Sequence, residues 1–197
     1  MKLNNKYYIL RHGQAMSNVK DICSSYPEKF RNPLTVYGKE QIKIAAEKLK
    51  NKNIDLIFAS PMLRTKQTAE IVSKNLKLKV KTDKRLRELG FGIFNGKPVS
   101  DFVNHFGSHK TRIKNKPPKG ENYMDVSNRV YDLFKDINSK YKNKNILIVS
   151  HQAPLLLLRA KILGYSLSGA IIKIAKIFEE KKITKGELID LNENKTL

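Results

Sequence analysis

The chain has 197 residues, with 39 Lys and Arg against 18 Asp and Glu, for a formal charge of +21. A chain of that length forms one domain, residues 1–197, and buries roughly 70% of its unfolded surface without a covalent staple. The single Cys23 excludes an intramolecular disulfide and fits a reducing, cytoplasmic setting. The residues before Arg11 are too poor in apolar side chains for a signal peptide. Arg159, Lys173 and Lys176 interrupt the apolar runs Leu155–Leu158 and Ala170–Phe178, so no membrane partner is expected. A basic field attracts phosphates, but lysine outnumbers arginine about four to one and is spread along the chain. No alternation of aromatic and basic residues accompanies it. The charge therefore predicts affinity for small anionic substrates and not a nucleic-acid groove, and oligomeric state stays open.

Tyr7-Tyr8-Ile9-Leu10 is a short run of strand formers that delivers Arg11-His12-Gly13 at its end. Asn18, six residues after His12, can reach back toward it. Val19 to Pro33 reads as a loop, with Ser24-Ser25, Pro27 and Asn32-Pro33 as turn signals. Thr35 is placed to cap a helix whose Ile42, Ala45, Ala46 and Leu49 share one face. Ile54–Phe58 predicts a second strand. Ser60 is expected to cap the following helix with Pro61 in its first turn, and Met62, Ala69, Val72 and Leu76 as its inner stripe.

Leu78 and Val80 suggest a third strand, and Arg85 to Lys119 reads as the least regular part. Glu121 to Lys140 predicts a helix with Tyr123, Val126, Val130, Leu133, Phe134 and Ile137 on its apolar face. Ile146–Val149 is a strand ending in Ser150-His151, and Pro154 to Leu163 a helix stopped at Gly164. Ile171, Ile174, Ala175 and Phe178 fit a further helix, and Leu188–Leu191 a last strand. Strands alternating with helices predict an α/β fold, a three-layer α/β/α sandwich with a largely parallel sheet covered on both faces.

That topology has a chemical consequence. His12, the Ser60–Arg64 segment and His151 each follow a predicted strand, and parallel strands end on one edge, so these segments should converge on one pocket. Glu88 is the nearest unassigned carboxylate. At an effective dielectric of about 20, unit charges 4 Å apart interact by about 4 kcal/mol. Arg11 and Arg64 beside two histidines therefore need an anion, and a phosphate dianion matches guanidinium geometry. The arginines should also lower the pKa of His12 from its reference of about 6.5 and keep it neutral.

Arg11-His12-Gly13 followed by Asn18 resembles the opening motif of the histidine phosphatase superfamily, the phosphoglycerate-mutase-like proteins. Leu34-Thr35-x-x-Gly38-x-x-Gln41, Ser60-Pro61-x-x-Arg64-Thr65-x-Gln67-Thr68-Ala69 and Leu86-x-Glu88 with Gly92 and Gly96 are similar to later family segments. So are Gly120-Glu121 with Asp125 and Arg129, and Val149-Ser150-His151. The resemblance spans most of the chain in the family's order. It implies that His12 attacks phosphorus, that Arg11, Arg64 and His151 bind the phosphoryl oxygens, and that Asn18 bonds phosphate or substrate. Glu88 would protonate the leaving oxygen and then assist water, with neither metal nor cofactor. The expected activity is hydrolysis of small phosphorylated metabolites. A phosphoglycerate-type mutase and an idle polyanion- or protein-binding member are the alternatives. The short Glu88–Gly120 interval favours the hydrolase, because mutases of the superfamily generally carry a longer insertion there.

Three departures from the family pattern bear on substrate identity: Gln152 where Gly is frequent, Phe94-Asn95-Gly96 where Trp-Glu-Gly is common, and Asn122 where Ser is usual. Gln152 is expected at the pocket, against the substrate. His105 and His109 have helical ligand spacing but are expected at the surface, not on a metal. Lys110, Lys114, Lys116 and Lys119 read as a solvated loop, or as a basic pocket mouth selecting a second anionic group.

Overall fold

A computed structural model describes residues 2–164 and 182–192. The helix expected over Ile171–Phe178 lies outside them. The first strand is β1 (Lys6–Arg11), followed by a one-turn helix α1 (Met16–Val19) and α2 (Val36–Lys50). Thr35 caps α2 by accepting from the Gly38 amide at 2.9 Å. Strand β2 (Leu56–Ala59) leads to α3 (Leu63–Leu76), and β3 (Val80–Thr82) is short, leaving Leu78 outside it. Helices α4 (Val99–Phe106) and α5 (Tyr123–Lys140), strand β4 (Asn145–Ser150), helix α6 (Gln152–Ile162) and strand β5 (Leu188–Asp190) complete the described order.

The described strands form one sheet in the order β3-β2-β4-β1-β5. The first four are parallel neighbours, and β5 runs antiparallel against β1. Successive side chains on a strand face opposite ways, and the two cores show it. Tyr8, Leu10, Ile57, Leu147 and Val149 pack with Ile42 and Leu49 of α2 and Val72 of α3. Tyr7, Ile9, Phe58, Ile146 and Ile148 pack on the other face with Val130 and Phe134 of α5 and Leu155 of α6. Each such buried aliphatic or aromatic side chain stabilises by about 1.5–3 kcal/mol relative to exposure. This is the three-layer α/β/α arrangement that the alternating pattern implies.

Two local expectations are corrected. Helix α4 lies in the stretch read as irregular, and its Val99, Phe102, Val103 and Phe106 do follow helical spacing. Ser60 is not the cap of α3. Pro61 and Met62 carry the chain onward from the strand, Met62 holds the cap position, and the Ser60 hydroxyl is released for another partner.

Register aligns the chemistry. Arg11 lies opposite Ser150, and Ala59 opposite Val149. The next residues, His12, His151 and Ser60, therefore leave the sheet side by side at one edge. The amide of His12 donates to the Ser150 carbonyl at 3.1 Å, which extends the β1–β4 pairing to the nucleophile candidate itself. Gly13 then passes so close to α2 that a Cβ there would lie 2.3 Å from the Gly38 carbonyl oxygen. Only glycine permits that approach.

Candidate active site

A cavity of about 1070 Å³ opens at this edge, lined by Arg11, His12, Asn18, Arg64, Glu88 and Gln152 among others. The rings of His12 and His151 stand edge to face with centroids 5.2 Å apart. Both imidazoles and Arg64 are almost fully buried.

The tautomer of His12 follows from its neighbours. Its Nδ1 lies 2.7 Å from the Gly13 carbonyl oxygen. A carbonyl only accepts, so Nδ1 carries the proton. Nε2 then presents a lone pair, which accepts from Arg64 Nε at 3.2 Å. Burial, and next the charges of Arg64 and Arg11, hold the His12 pKa well below its ordinary value. The arginines expected to lower it do so, but desolvation is the larger cause. His151 is lowered in the same way, first by burial and then by Arg64. Its Nε2 meets the Ser60 hydroxyl at 2.9 Å, while its buried Nδ1 has no partner.

Arg64 is fixed from behind. It donates to the Ser24 carbonyl at 3.0 Å and to the Ser24 hydroxyl at 3.3 Å, and lies 3.5 Å from Glu28. Burial pulls its pKa down to about 10, which leaves it charged at neutral pH. Arg11 donates to the Ile183 carbonyl at 2.6 Å and keeps a buried Nε without a partner. Two orphaned buried nitrogens, on His151 and Arg11, face a site rich in cations. Buried polar groups are ordinarily paired, and oxygens of a bound anion would satisfy both.

Glu88 lines this cavity, and one of its carboxylate oxygens accepts from the Leu89 amide at 2.8 Å. Neither neighbouring arginine takes it: Arg85 pairs with Asp83 and Asp136, and Arg87 stacks on Tyr26. Glu121, the other candidate carboxylate, is gripped by Arg129 through two bonds of 2.8 and 2.9 Å. Arg129 also donates to the carbonyls of Arg85 and Glu88, at 2.6 and 3.1 Å. Ser150 donates to the Leu86 carbonyl at 2.6 Å. Arg129, Glu121 and Ser150 therefore hold the Glu88 loop in place.

Asn18 accepts from the Ala15 amide at 3.0 Å through Oδ1, so the group it retains for the cavity is its NH₂ donor. Gln152 lines the cavity from the first turn of α6. The other two departures do not line it. Asn95 accepts from the Ser25 amide and donates to the Pro27 carbonyl, which braces the loop behind Arg64. Asn122 caps α5 by accepting from the Asp125 amide at 2.9 Å. Their bearing on substrate identity is thereby withdrawn.

Lys110, Lys114, Lys116 and Lys119 are exposed, as a solvated loop implies, and the alternative of a basic pocket mouth falls: the cavity wall carries Arg112, Lys182 and Lys185 instead. His109 lines the cavity and bonds the Tyr123 hydroxyl at 2.8 Å, while His105 is exposed against Phe94. Gly107 ends α4 between the two histidines, so they do not share a helical face. Among the described residues no group of three His, Cys, Asp or Glu is arranged to hold a metal ion. The bond of Ser60 to His151 and the place of Arg112 on the cavity wall were not read from the sequence, because only tertiary packing creates them.

Residues 7–174 match the model of the histidine phosphatase superfamily (branch 1). The chain belongs to that superfamily. It is 27% identical over 168 residues to phosphoserine phosphatase 1 of Hydrogenobacter thermophilus, covering 83% of this chain and 78% of that one. It is 30% identical over 162 residues to the "Probable phosphoglycerate mutase GpmB" of Proteus mirabilis, covering 80% and 74%. Among solved structures, the alpha-ribazole phosphatase from Shigella flexneri aligns with a TM-score of 0.75 and 25% identity, covering 93% of this chain and 88% of that one. This histidine phosphatase superfamily member thus has phosphatases among its relatives, which support a phosphatase here. Among the described residues no helix is long and apolar enough to cross a membrane.

Proposed function

We propose that this chain is a cytoplasmic, metal-independent phosphomonoesterase, one domain over residues 1–197, that works through phospho-His12 on small phosphorylated metabolites. The observation that carries the reading is the His12 tautomer. A neutral imidazole with its proton held by the Gly13 carbonyl turns an Nε2 lone pair toward Arg64.

An arriving phosphate monoester draws the Arg64 Nε–H away from Nε2 onto a phosphoryl oxygen. Arg11 Nε and His151 Nδ1 supply further donors, and Asn18 offers its NH₂. Fixed cations stabilise the charge on the equatorial oxygens as the bond to the leaving oxygen loosens. Nε2 forms the bond to phosphorus, the P–O bond to the alcohol breaks, and Glu88 gives its proton to that oxygen. General acid help of this kind typically contributes about 10²–10⁴-fold. Water then attacks the phosphohistidine, Glu88 takes a proton from it, and inorganic phosphate leaves with His12 restored. Arg11 and Arg64 provide the positive charge that a metal supplies in other phosphotransfer sites, which supports the metal-independent reading.

The test is a panel of phosphate esters with wild type and His12→Ala, together with quenching in alkaline detergent to trap the phosphoenzyme. Label on wild type that is acid-labile, alkali-stable and absent from the variant is the expected result. Product analysis with phosphoglycerate separates hydrolysis from isomer exchange: free phosphate supports this reading, and interconverted isomers point to a mutase.

A further inference from the structure

Arg112 sits in the short 3₁₀ turn Thr111–Ile113 after α4. It is only 7% exposed, yet it lines the large cavity. Its Nε is buried without a hydrogen-bond partner. Among the described residues no carboxylate forms an ion pair with it, whereas Arg64 has Glu28 and Arg129 has Glu121. The guanidinium instead lies over the Phe102 ring at 4.9 Å, and its charge acts on the neighbouring Tyr123 hydroxyl, lowering a pKa that burial raises. Tyr123 in turn bonds His109 at 2.8 Å.

Removing a guanidinium from water without a counter-ion is unfavourable. Stacking on an aromatic ring offsets part of that loss and none of the unmet hydrogen bonding. An aromatic floor under a guanidinium leaves the edge of the fork, which is the part that recognises a carboxylate or phosphate in two-pronged fashion. Lys182, from a remote part of the chain, lines the same cavity and adds positive charge.

We propose that Arg112, positioned by Phe102 and Tyr123, is a second anion-binding subsite that receives a carboxylate or phosphate on the leaving-group part of the substrate. This rests on the phosphatase reading and narrows it. The preferred substrates carry a phosphoryl group at His12 and another anionic group that reaches Arg112. The selecting cation is thus one buried arginine rather than the exposed lysines around it.

The test compares kcat/KM for three esters: 4-nitrophenyl phosphate, whose leaving group has no further anion in its ring, phosphoglycerate, and a hexose bisphosphate. Arg112→Gln lowers the ratio of a doubly anionic ester to 4-nitrophenyl phosphate by about tenfold or more, since hydrogen bonds to charged groups dominate such discrimination. Arg112→Lys retains more of the ratio. The ester whose ratio falls further tells whether a carboxylate or a phosphate is the natural group. A ratio unchanged within twofold, or equal losses on all three esters, overturns the proposal, because a merely structural arginine lowers every rate together. Should both variants unfold, wild type alone decides: ω-carboxyalkyl phosphonates of increasing length are titrated against their methyl esters. At least one free acid binds about tenfold more tightly than its ester if the subsite exists, and equal affinities at every length refute it. Those affinities are read without turnover. Failure of His12→Ala to stop hydrolysis would instead strike the phosphatase reading alone.

Discussion

Arg64 Nε donates to His12 Nε2 at 3.2 Å, so the residue that awaits the phosphate also guards the nucleophile before it arrives. The contact holds the imidazole ring in line and places a cation beside the atom that must stay unprotonated. Substrate binding exchanges one acceptor for another, with no large movement of the arginine. Arg64→Lys keeps a charge but loses the planar fork gripping the Ser24 carbonyl and hydroxyl. We expect kcat/KM to fall about 10²–10³-fold, by analogy with losing a donor to developing negative charge. Steady-state kinetics on 4-nitrophenyl phosphate measures it, and a loss under threefold speaks against the role.

Glu88→Gln should discriminate between leaving groups. An alkoxide needs its proton from Glu88, whereas 4-nitrophenolate departs without one. Hydrolysis of an alkyl phosphate should drop about 10²–10³-fold, and that of the nitrophenyl ester by far less in the phosphorylation step. Equal losses on both would assign Glu88 to positioning. Arg129→Gln, which frees the Glu88 loop without touching the cavity, should reduce kcat while retaining the same pH profile.

The two buried imidazoles predict a pH dependence of stability. Their folded pKa values lie well below the ordinary value near 6.5, chiefly because burial disfavours the charged form. Below about pH 6.5 the unfolded chain therefore binds more protons than the folded one. Stability is full above that pH and declines as pH falls toward the folded values, by about 1.4 kcal/mol per pH unit for each imidazole that stays neutral. His109 adds to the effect in the same direction, since burial and Arg112 lower it to about 4. Urea midpoints at pH 5, 6 and 7.5 check the trend, and His12→Gln should flatten it. A midpoint constant across that range contradicts the assignment.

Gly13→Ala should damage fold and site together. The new methyl would meet the Gly38 carbonyl oxygen at 2.3 Å, so α2 must withdraw from the strand end. Such overpacking costs about 1–3 kcal/mol, visible as a lower urea midpoint. The displaced Gly13 carbonyl also loosens its grip on Nδ1 of His12, so kcat should decrease even at temperatures where the variant is folded.

Strands and the two long helices α2 and α5 were legible because their apolar residues recur at the spacing each element needs. Convergence at the strand ends was legible too, since Arg11, Ser60 and His151 each follow such a run. Helix α4 escaped because the Gly, Pro and Lys around it obscured the four apolar residues Val99, Phe102, Val103 and Phe106. Ser60 looked like a cap on local grounds, and only the adjacency of β2 and β4 gives its hydroxyl to His151. Arg112 was one basic residue among many. Its burial against Phe102 depends on α4 folding back over the sheet edge, which no local pattern encodes.

The short β5 strand and the turn before it reach across to the nucleophile's own strand. Gly186 donates to the carbonyls of Arg11 and His12, and the Ile183 carbonyl accepts from Arg11, 172 positions earlier in sequence. Contacts of such long sequence separation are slow to close and form after local structure is in place. Assembly of this protein should therefore pass through a stage in which the sandwich is built and the catalytic corner is still open. Recovery of activity during refolding should lag behind recovery of helix signal.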